Sequence, residues 1–332
     1  MSSPHADADA DADASASASA SASAVRRVDP ADWPALAAFI HRHNRRADGG
    51  VRCLHAEQGD SVALHAEELA ALPPGEAAFW QVLDAAGGLE AVIGCEFDPA
   101  LQRAWLRGPL AAGDPAAHRP LLQRLVQVLE ASLPGIRLFD AFPAEDDAEL
   151  NALYADRGYR RLGVHRVLEA ALAPRRGAGA PRPLPSGISI RPAAAADLAP
   201  LLALHESLFP SGYLKDSDFA AALDDPARRV LACVAGDGRL LGYLHAKDDA
   251  GPPEIYVDYL GVAAEARGQG LGAALLADAL AWGSALGRPR ASLTVREDRA
   301  PALALYERSG FRQVSAGVHW RWERAGPSAG AG

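Results

Sequence analysis

Cysteine is scarce in this chain. The three in 332 residues, Cys53, Cys95 and Cys233, lie far apart with no CxxC pair. That excludes a disulfide framework and a cysteine zinc site, and leaves three small core residues suited to a reducing compartment. Long apolar runs are missing too; none approaches the roughly 20 residues that span a bilayer. The start of the chain lacks the basic residues and Leu-rich centre of a secretory signal. A basic excess is absent, because the formal net charge is −9, and general nucleic-acid binding usually shows a basic face. The expectation is a cytoplasmic chain, monomer or homodimer, with no metal, nucleic-acid or membrane partner.

What remains is the balance of an ordinary globular protein, 49% hydrophobic and 23% charged. Its length suggests two domains. Residues 1–24 alternate Ala with Asp and then Ala with Ser. Such side chains bury too little to offset backbone entropy, so a disordered tail is expected there and at 325–332. A second break in composition runs from Pro174 to Pro185, with four prolines and two glycines in twelve residues. Neither a helix nor a central strand tolerates this, so 174–185 is read as a linker between domains at 25–173 and 186–324.

The two halves open and close alike. Val25-Arg-Arg-Val-Asp-Pro-Ala-Asp-Trp resembles Ile188-Ser-Ile-Arg-Pro-Ala-Ala-Ala-Ala-Asp-Leu, a short strand entering a helix with Asp near its start. Near the ends, Tyr154 to Gly158 and Tyr306 to Gly310 share a helix, a glycine stop and a following aromatic. The pattern predicts two tandem copies of one α/β fold. In the second half strands are expected at 187–191, 229–235, 239–247, Glu254–Val262, 290–295 and 311–322. Helices are expected at 195–208, 216–224, from the glycine turn to about Leu286, and at 300–309.

The richest stretch is Leu260-Gly-Val-Ala-Ala-Glu-Ala-Arg267-Gly-Gln-Gly-Leu-Gly272-Ala273. A strand ends and a helix begins, with Leu271, Leu275, Ala279, Trp282 and Leu286 as the expected apolar stripe. Free amides and the positive end of a helix dipole, with glycines that let the backbone approach a ligand, suit a pyrophosphate. Gly268, Gly270 and Gly272 give G-x-G-x-G, not the dinucleotide fingerprint G-x-G-x-x-G, and no P-loop lysine follows.

Arg267-x-x-Gly270-x-Gly272 matches the R/Q-x-x-G-x-G/A signature of the GNAT superfamily. The stretch Leu260–Leu275 resembles its motif A, and Leu293-Thr-Val295 followed by Ala302-x-x-Leu-Tyr306-x-x-x-Gly310-Phe311 resembles its motif B. The resemblance implies a GNAT fold, a mixed central sheet flanked by helices, and acetyl-coenzyme A as cosubstrate. It implies that Arg267, Gly268, Gln269, Gly270, Leu271, Gly272 and Ala273 hold the pyrophosphate. The strand end Leu260-Gly261-Val262 would meet the pantetheine arm and polarise the acetyl carbonyl. Tyr306 would protonate the departing thiolate. An Asn seven residues before this Tyr is common in the family; here Arg299 stands there, facing either a coenzyme A phosphate or solvent.

The acceptor amine must lose a proton before it attacks. Glu254, Tyr256, Asp258 and Leu260 are expected to alternate onto one strand face, which makes Glu254 and Asp258 the base candidates. Asp258, the more central, is expected to have a raised pKa, or else to bind the substrate's ammonium group. His245 and His319 are further candidates for proton shuttling, or strand-surface residues. Glu206, Phe209 and Tyr213, around a Pro-Ser-Gly turn, are candidates for acceptor binding.

The first half lacks the middle signature. The strand expected at 102–110 ends with Pro109, and Pro115 and Pro120 follow it, with only Gly113 as a loop glycine. It reads as a degenerate copy without acetyl-coenzyme A binding. The function implied is N-acetyl transfer to a small-molecule amine. Tandem chains of that superfamily with one degenerate half include enzymes that acetylate a cysteinyl amine, which offers only an analogy for the acceptor. The alternatives are a silent acyl-coenzyme-A-binding sensor or structural module, and a peptide or protein N-acetyltransferase.

Overall fold

In the computed structural model, residues 24–56, 61–172, 184–210, 212–248 and 253–325 are described. Apart from their inner ends, the expected tails and the expected linker lie outside these residues. The chain packs as two units, Met1–Leu162 with Gly317–Gly332, and Gly163–Ala316.

Unit 1 holds β1 (Arg26–Arg27), β2 (Ala77–Leu83), β3 (Leu89–Asp98), β4 (Arg103–Ala111) and β5 (Leu138–Ala141). Its helices are α1 (Trp33–Asn44), α2 (Val62–Ala71), α3 (Arg119–Ser132) and α4 (Ala148–Asp156). Strands β2, β3 and β4 form an antiparallel meander, and β5 joins β4 in parallel after the α3 crossover. Alternation along β2 fills both faces. Ala78 and Trp80 pack with Leu125 and Leu129 of α3, whereas Ala77 and Phe79 pack with Leu36 and Ile40 of α1. Residues 320–323 close the sheet, antiparallel to β5, with Trp320 opposite Ala141.

Unit 2 repeats this order. It holds β6 (Arg160–Ala171), β7 (Ile188–Pro192), β8 (Arg228–Ala235), β9 (Leu240–Lys247), β10 (Glu254–Val262) and β11 (Arg290–Arg296). Its helices are α5 (Leu198–Leu208), α6 (Asp216–Ala222), α7 (Leu271–Ala285) and α8 (Ala300–Arg308); the last strand, β12 (Arg312–Glu323), begins in unit 2 and belongs to unit 1 from Gly317. Strands β7 to β10 are antiparallel, and β11 returns parallel to β10 after the α7 crossover. On β11 lies β6, antiparallel, with Leu168 opposite Leu293. Each unit is therefore finished by a strand from the other half of the sequence, and the packed units are not the linear segments 25–173 and 186–324. Hydrogen-bonding edges accept any strand that fits, whatever its distance along the chain.

The buried face of α7 is Leu271, Leu275, Leu276, Ala279, Leu280 and Gly283. The expected stripe holds to Ala279 and then turns. Trp282 is half-buried and Leu286 is 43% exposed. A Cβ on Gly283 would lie 2.7 Å from Leu172 and 2.8 Å from Ile255, so only a glycine lets the helix sit this close to the sheet.

The end of the chain is fixed in unit 1 by a buried charge. Asp140 on β5 is fully buried. It accepts hydrogen bonds from Arg103 Nε (2.5 Å), Arg321 Nε (2.6 Å) and Nη2 (2.9 Å), and lies 2.9 Å from His319 Nε2. His319, a candidate proton shuttle in the sequence, is thus a structural partner. Burial raises the Asp140 pKa, but the bonds from His319 and Arg321 and the charge of Arg103 outweigh it and hold the carboxyl well below its usual range. Its contribution to stability is present above the unfolded-state pKa of about 4 and is lost as pH falls toward the folded value. Replacing Asp140 by Asn should lower the unfolding free energy at neutral pH by about 3 kcal/mol. In urea titrations the gap to wild type should narrow below about pH 4. A gap that stays constant into acid would mean the carboxylate is not what holds the strand.

Candidate active site

The site in unit 2 begins with an irregularity in β10. Glu254 to Val257 pair with Arg290 to Leu293 of β11, and β10 then leaves β11. On its other edge β10 stays with β9, but the register shifts between Val257 (opposite Ala246) and Tyr259 (opposite His245). Asp258 is the extra residue of a β-bulge. The side-chain alternation therefore switches. Ile255 and Val257 pack under α7, Tyr259 packs on the opposite face with Leu201, Phe219 and Tyr243, and Leu260 and Val262 return to the α7 side. The expectation that Glu254, Tyr256, Asp258 and Leu260 share one face is corrected at Leu260, because one unpaired residue reverses a period of two.

Past the bulge the edge of β10 facing away from β9 is free of β11. The Ala263 amide donates to Leu241 on β9, so the alternate amides, Leu260 and Val262, point to the open edge. The Val262 carbonyl accepts there from Arg267 Nε at 3.2 Å. Next comes the glycine turn. Gly268 (φ +79°) and Gly270 (φ +81°) adopt left-handed backbone, and a Cβ on either would meet nothing within 4 Å, so the space above the turn is open. Gly270 is the N-cap of α7 and no side chain caps the helix. Arg267, Gln269 and Ala273 are exposed, Leu271 is buried as an anchor, and Gly272 is packed against Leu305 of α8. Gly261 is buried on the far face, where a Cβ would strike Leu208 and Tyr243. Arg299 is the N-cap residue of α8, largely exposed, with Nε 3.8 Å from Asp298.

Tyr306 on α8 is 8% exposed, and its ring stands edge-on to Phe311. Burial pushes its hydroxyl up to about 12, and no hydrogen bond among the described residues offsets this. The phenol therefore keeps its proton at neutral pH.

On the face opposite α7, Asp258 is the centre. Its side chain is 1% exposed, lies 3.0 Å from His245 Nδ1 and 3.7 Å from Lys247 Nζ, and accepts a hydrogen bond from the Tyr213 hydroxyl. Burial would raise its pKa, but His245, Lys247 and Tyr213 outweigh burial, and the carboxyl titrates below its usual range. The upward shift expected from the sequence is corrected, because the central position that buries Asp258 also surrounds it with donors. Glu254 is tied at the other end of the strand, accepting from Arg290 Nε (2.5 Å) and Ser292 Oγ (2.7 Å). Glu254 and Asp258 are therefore not two equivalent free carboxylates.

Aromatic rings surround Asp258. Lys247 Nζ lies 5.3 Å from the centre of the Tyr256 ring. The Tyr259 hydroxyl accepts from the Tyr213 amide at 3.1 Å, and Phe209 stands edge-on to Tyr259. His205 Nδ1 lies 2.6 Å from the Tyr243 hydroxyl, and burial lowers the His205 pKa. Glu206 is exposed on α5. Tyr243, Lys247 and Tyr259 were not singled out in the sequence. Alternation of Tyr243, His245 and Lys247 along β9 is a usable signal for the first two, whereas Tyr259 faces the cluster only because of the bulge.

The counterpart in unit 1 is built differently. Strand β4 also leaves β5 after three paired residues and carries a register shift near Gly108. There the Tyr154 hydroxyl donates to the Gly108 carbonyl at 2.6 Å, with Cys53 Sγ 3.8 Å from the same oxygen. Cys53 also bridges to Pro143, so chain lies beside the strand end. The loop before α3 contains Asp114 and Pro115, and Pro120 occupies the first turn of that helix, where it removes an amide.

The chain is similar to known proteins. Residues 198–311 match the model of the acetyltransferase (GNAT) family. A mycothiol acetyltransferase of Clavibacter michiganensis subsp. michiganensis is 36% identical over 184 residues, which is 53% of this chain. The chain spans only 59% of that relative's length. A mycothiol acetyltransferase of Geodermatophilus obscurus is 32% identical over 309 residues, covering 76% of this chain and 96% of that one. Among solved structures, a GCN5-related N-acetyltransferase from Sphaerobacter thermophilus superposes with a TM-score of 0.73 at 20% identity, over 92% of this chain and 98% of that one. At that identity the likeness shows the fold alone.

Tyr213→Phe removes one of the donors that hold Asp258 ionised. The Asp258 carboxyl resonance should titrate at higher pH than in wild type when followed by carbon NMR. An unmoved midpoint would show that the phenol does not hold the carboxylate.

Proposed function

We propose, on the premise that the chain belongs to the acetyltransferase (GNAT) family, that it transfers an acetyl group from acetyl-coenzyme A to the primary amine of a small molecule by direct attack. The observation that carries this reading is the join of an open, uncapped glycine turn to the free edge of β10. Amides from Arg267 to Ala273 suit a pyrophosphate, and the α7 dipole favours its charge. The Leu260 and Val262 backbone groups suit an amide-bearing arm along the open edge. The Leu260 amide, directed to that edge, suits the oxygen of a thioester carbonyl as charge builds on it.

The coenzyme supplies an activated acetyl thioester; the residues of this chain do the rest. Asp258, anionic and ringed by Tyr213, Tyr256 and Tyr259, anchors the acceptor as an ammonium group. Tyr306, protonated at neutral pH, donates to the sulfur as the carbon–sulfur bond breaks. Arg299, exposed at the start of α8, is free of the core to meet a coenzyme phosphate. Glu206, Phe209 and Tyr213 border the face where the acceptor enters. The shared name of the curated relatives, mycothiol acetyltransferase, supports a small-molecule acceptor from mycothiol chemistry. Unit 1 takes no coenzyme in this reading, because Tyr154, Cys53 and the prolines occupy or remove what such a ligand needs.

Calorimetry with acetyl-coenzyme A tests the coenzyme site. Gly270→Glu should abolish binding while the control Gly113→Glu leaves it intact; equal losses would sink the one-site reading. Tyr306→Phe should lower kcat by about 10²-fold with little change in the KM for acetyl-coenzyme A. An unchanged kcat would remove Tyr306 as the acid.

A further inference from the structure

Acetyl transfer, as proposed above, leaves one requirement unmet. An amine held against Asp258 arrives as an ammonium ion, and its nitrogen attacks only after losing a proton. Asp258 is a poor final holder of that proton, because its neighbours keep it ionised. We propose that His245 receives the acceptor's proton through Asp258, the two side chains working as a carboxylate–imidazole couple across strands β10 and β9.

The geometry points to this pair. His245 Nδ1 lies 3.0 Å from Asp258 Oδ2, and the two side chains are 3% and 1% exposed. Nδ1 makes no hydrogen bond among the described residues, so in the Nε2–H tautomer its lone pair is available to a proton. Alternation from Glu254 and Tyr256 places Asp258 on the face of β10 that looks toward Lys247 and His245, and the bulge adds Tyr259 to that face. The other carboxylate oxygen, Oδ1, takes the Tyr213 hydroxyl. Tyr213 is 40% exposed and follows Gly212 in the loop after α5. Its phenol occupies the place an ammonium group would take and leaves when the acceptor enters.

Few charged groups face the couple. From β9, Lys247 Nζ lies 3.7 Å from Oδ1. A fixed positive charge there disfavours an ammonium ion and assists its loss of a proton. From α5, His205 is engaged with the Tyr243 hydroxyl, and burial lowers its pKa. From α6, Phe219 meets the His245 ring edge-on. From β8, the residue opposite His245 is the apolar Val230. From β10 itself come only the phenols of Tyr256 and Tyr259. His245 Nδ1, 3.0 Å from Oδ2, is therefore the imidazole nitrogen that meets Asp258 among the described residues.

The step balances. An N–H bond of the ammonium breaks as an O–H bond forms at Oδ1; the carboxyl group turns, that O–H bond breaks, and an N–H bond forms at His245 Nδ1, which carries no proton in the neutral Nε2–H tautomer. Ammonium, carboxylate and neutral imidazole become amine, carboxylate and imidazolium, with net charge unchanged. The imidazolium then stands against Asp258 until the proton leaves to water.

His245 acts here as a positioning and proton-accepting residue, because it reaches the amine only through Asp258. The test compares the full-length wild-type chain with His245→Gln, using saturating acetyl-coenzyme A and S-methyl-L-cysteinamide as the amine probe. The kcat/KM for the amine should fall about 10²-fold at neutral pH. The loss should shrink as pH rises toward the probe's own pKa, and calorimetric affinity for acetyl-coenzyme A should not change. The same fold-loss at every pH would assign His245 a packing role and overturn the proposal. A second measurement does not depend on turnover: the Asp258 carboxyl should titrate at higher pH in His245→Gln than in wild type. An unmoved Asp258 midpoint overturns the couple even if the wild type is active. Should wild type consume no thioester with this probe or with an amine library while the Asp258 midpoint does move, the acetyl-transfer reading fails and the couple stands.

Discussion

Strand β10 carries Asp258 as a residue without a partner on β9. That insertion brings Tyr259 to the face of Asp258, toward α5 and α6, returns Leu260 and Val262 to the α7 side, and coincides with the departure of β10 from β11. An open backbone edge and an added phenol beside a buried carboxylate thus accompany one local defect in pairing. A regular strand would have kept Leu260 on the face of Asp258. Bulges are tolerated where a strand must both twist away and re-aim a side chain.

The two units show how the same scaffold can be filled in opposite ways. In unit 2 the carboxylate of Asp258 is surrounded by His245, Lys247 and phenols. In unit 1 the strand before the shift presents a cation, Arg107, 3% exposed and paired with Glu68 and Glu96. The two aligned tyrosines differ as well. Tyr306 makes no hydrogen bond through its hydroxyl among the described residues, whereas Tyr154 spends its own on the Gly108 carbonyl. A hydroxyl already satisfied inside the protein has no proton to offer a ligand. The contrast between a free and a tied tyrosine separates the units more clearly than their overall order of elements, which is nearly the same.

Burial alone is a poor guide to ionisation here. Asp140 and Asp258 are both almost wholly removed from water, and both titrate below the usual carboxylate range, since each is surrounded by donors. Tyr306 is buried without such partners and its pKa moves up. The sign follows from what surrounds the group, because a desolvation penalty and a nearby opposite charge act on the same equilibrium in opposite directions.

Much of the architecture was legible in the sequence. The limits of β10, Glu254 and Val262, emerge as expected, and α7 starts at the glycine turn. Such features depend on neighbours a few residues apart: a glycine that permits left-handed backbone, a period in apolar side chains, a proline that stops a helix. The spacing Arg267-x-x-Gly270-x-Gly272 therefore determined by itself an open turn at a helix start. Three things were decided only by tertiary structure. The bulge at Asp258 breaks the period on which a strand reading rests. The donors around Asp258 come from β9 and the loop after α5, so its ionisation could not be read from its own strand. The strands that finish each sheet come from opposite halves of the chain. All three involve pairing between residues distant in sequence, and the sequence records such pairing only through the surfaces that happen to fit once the chain has folded.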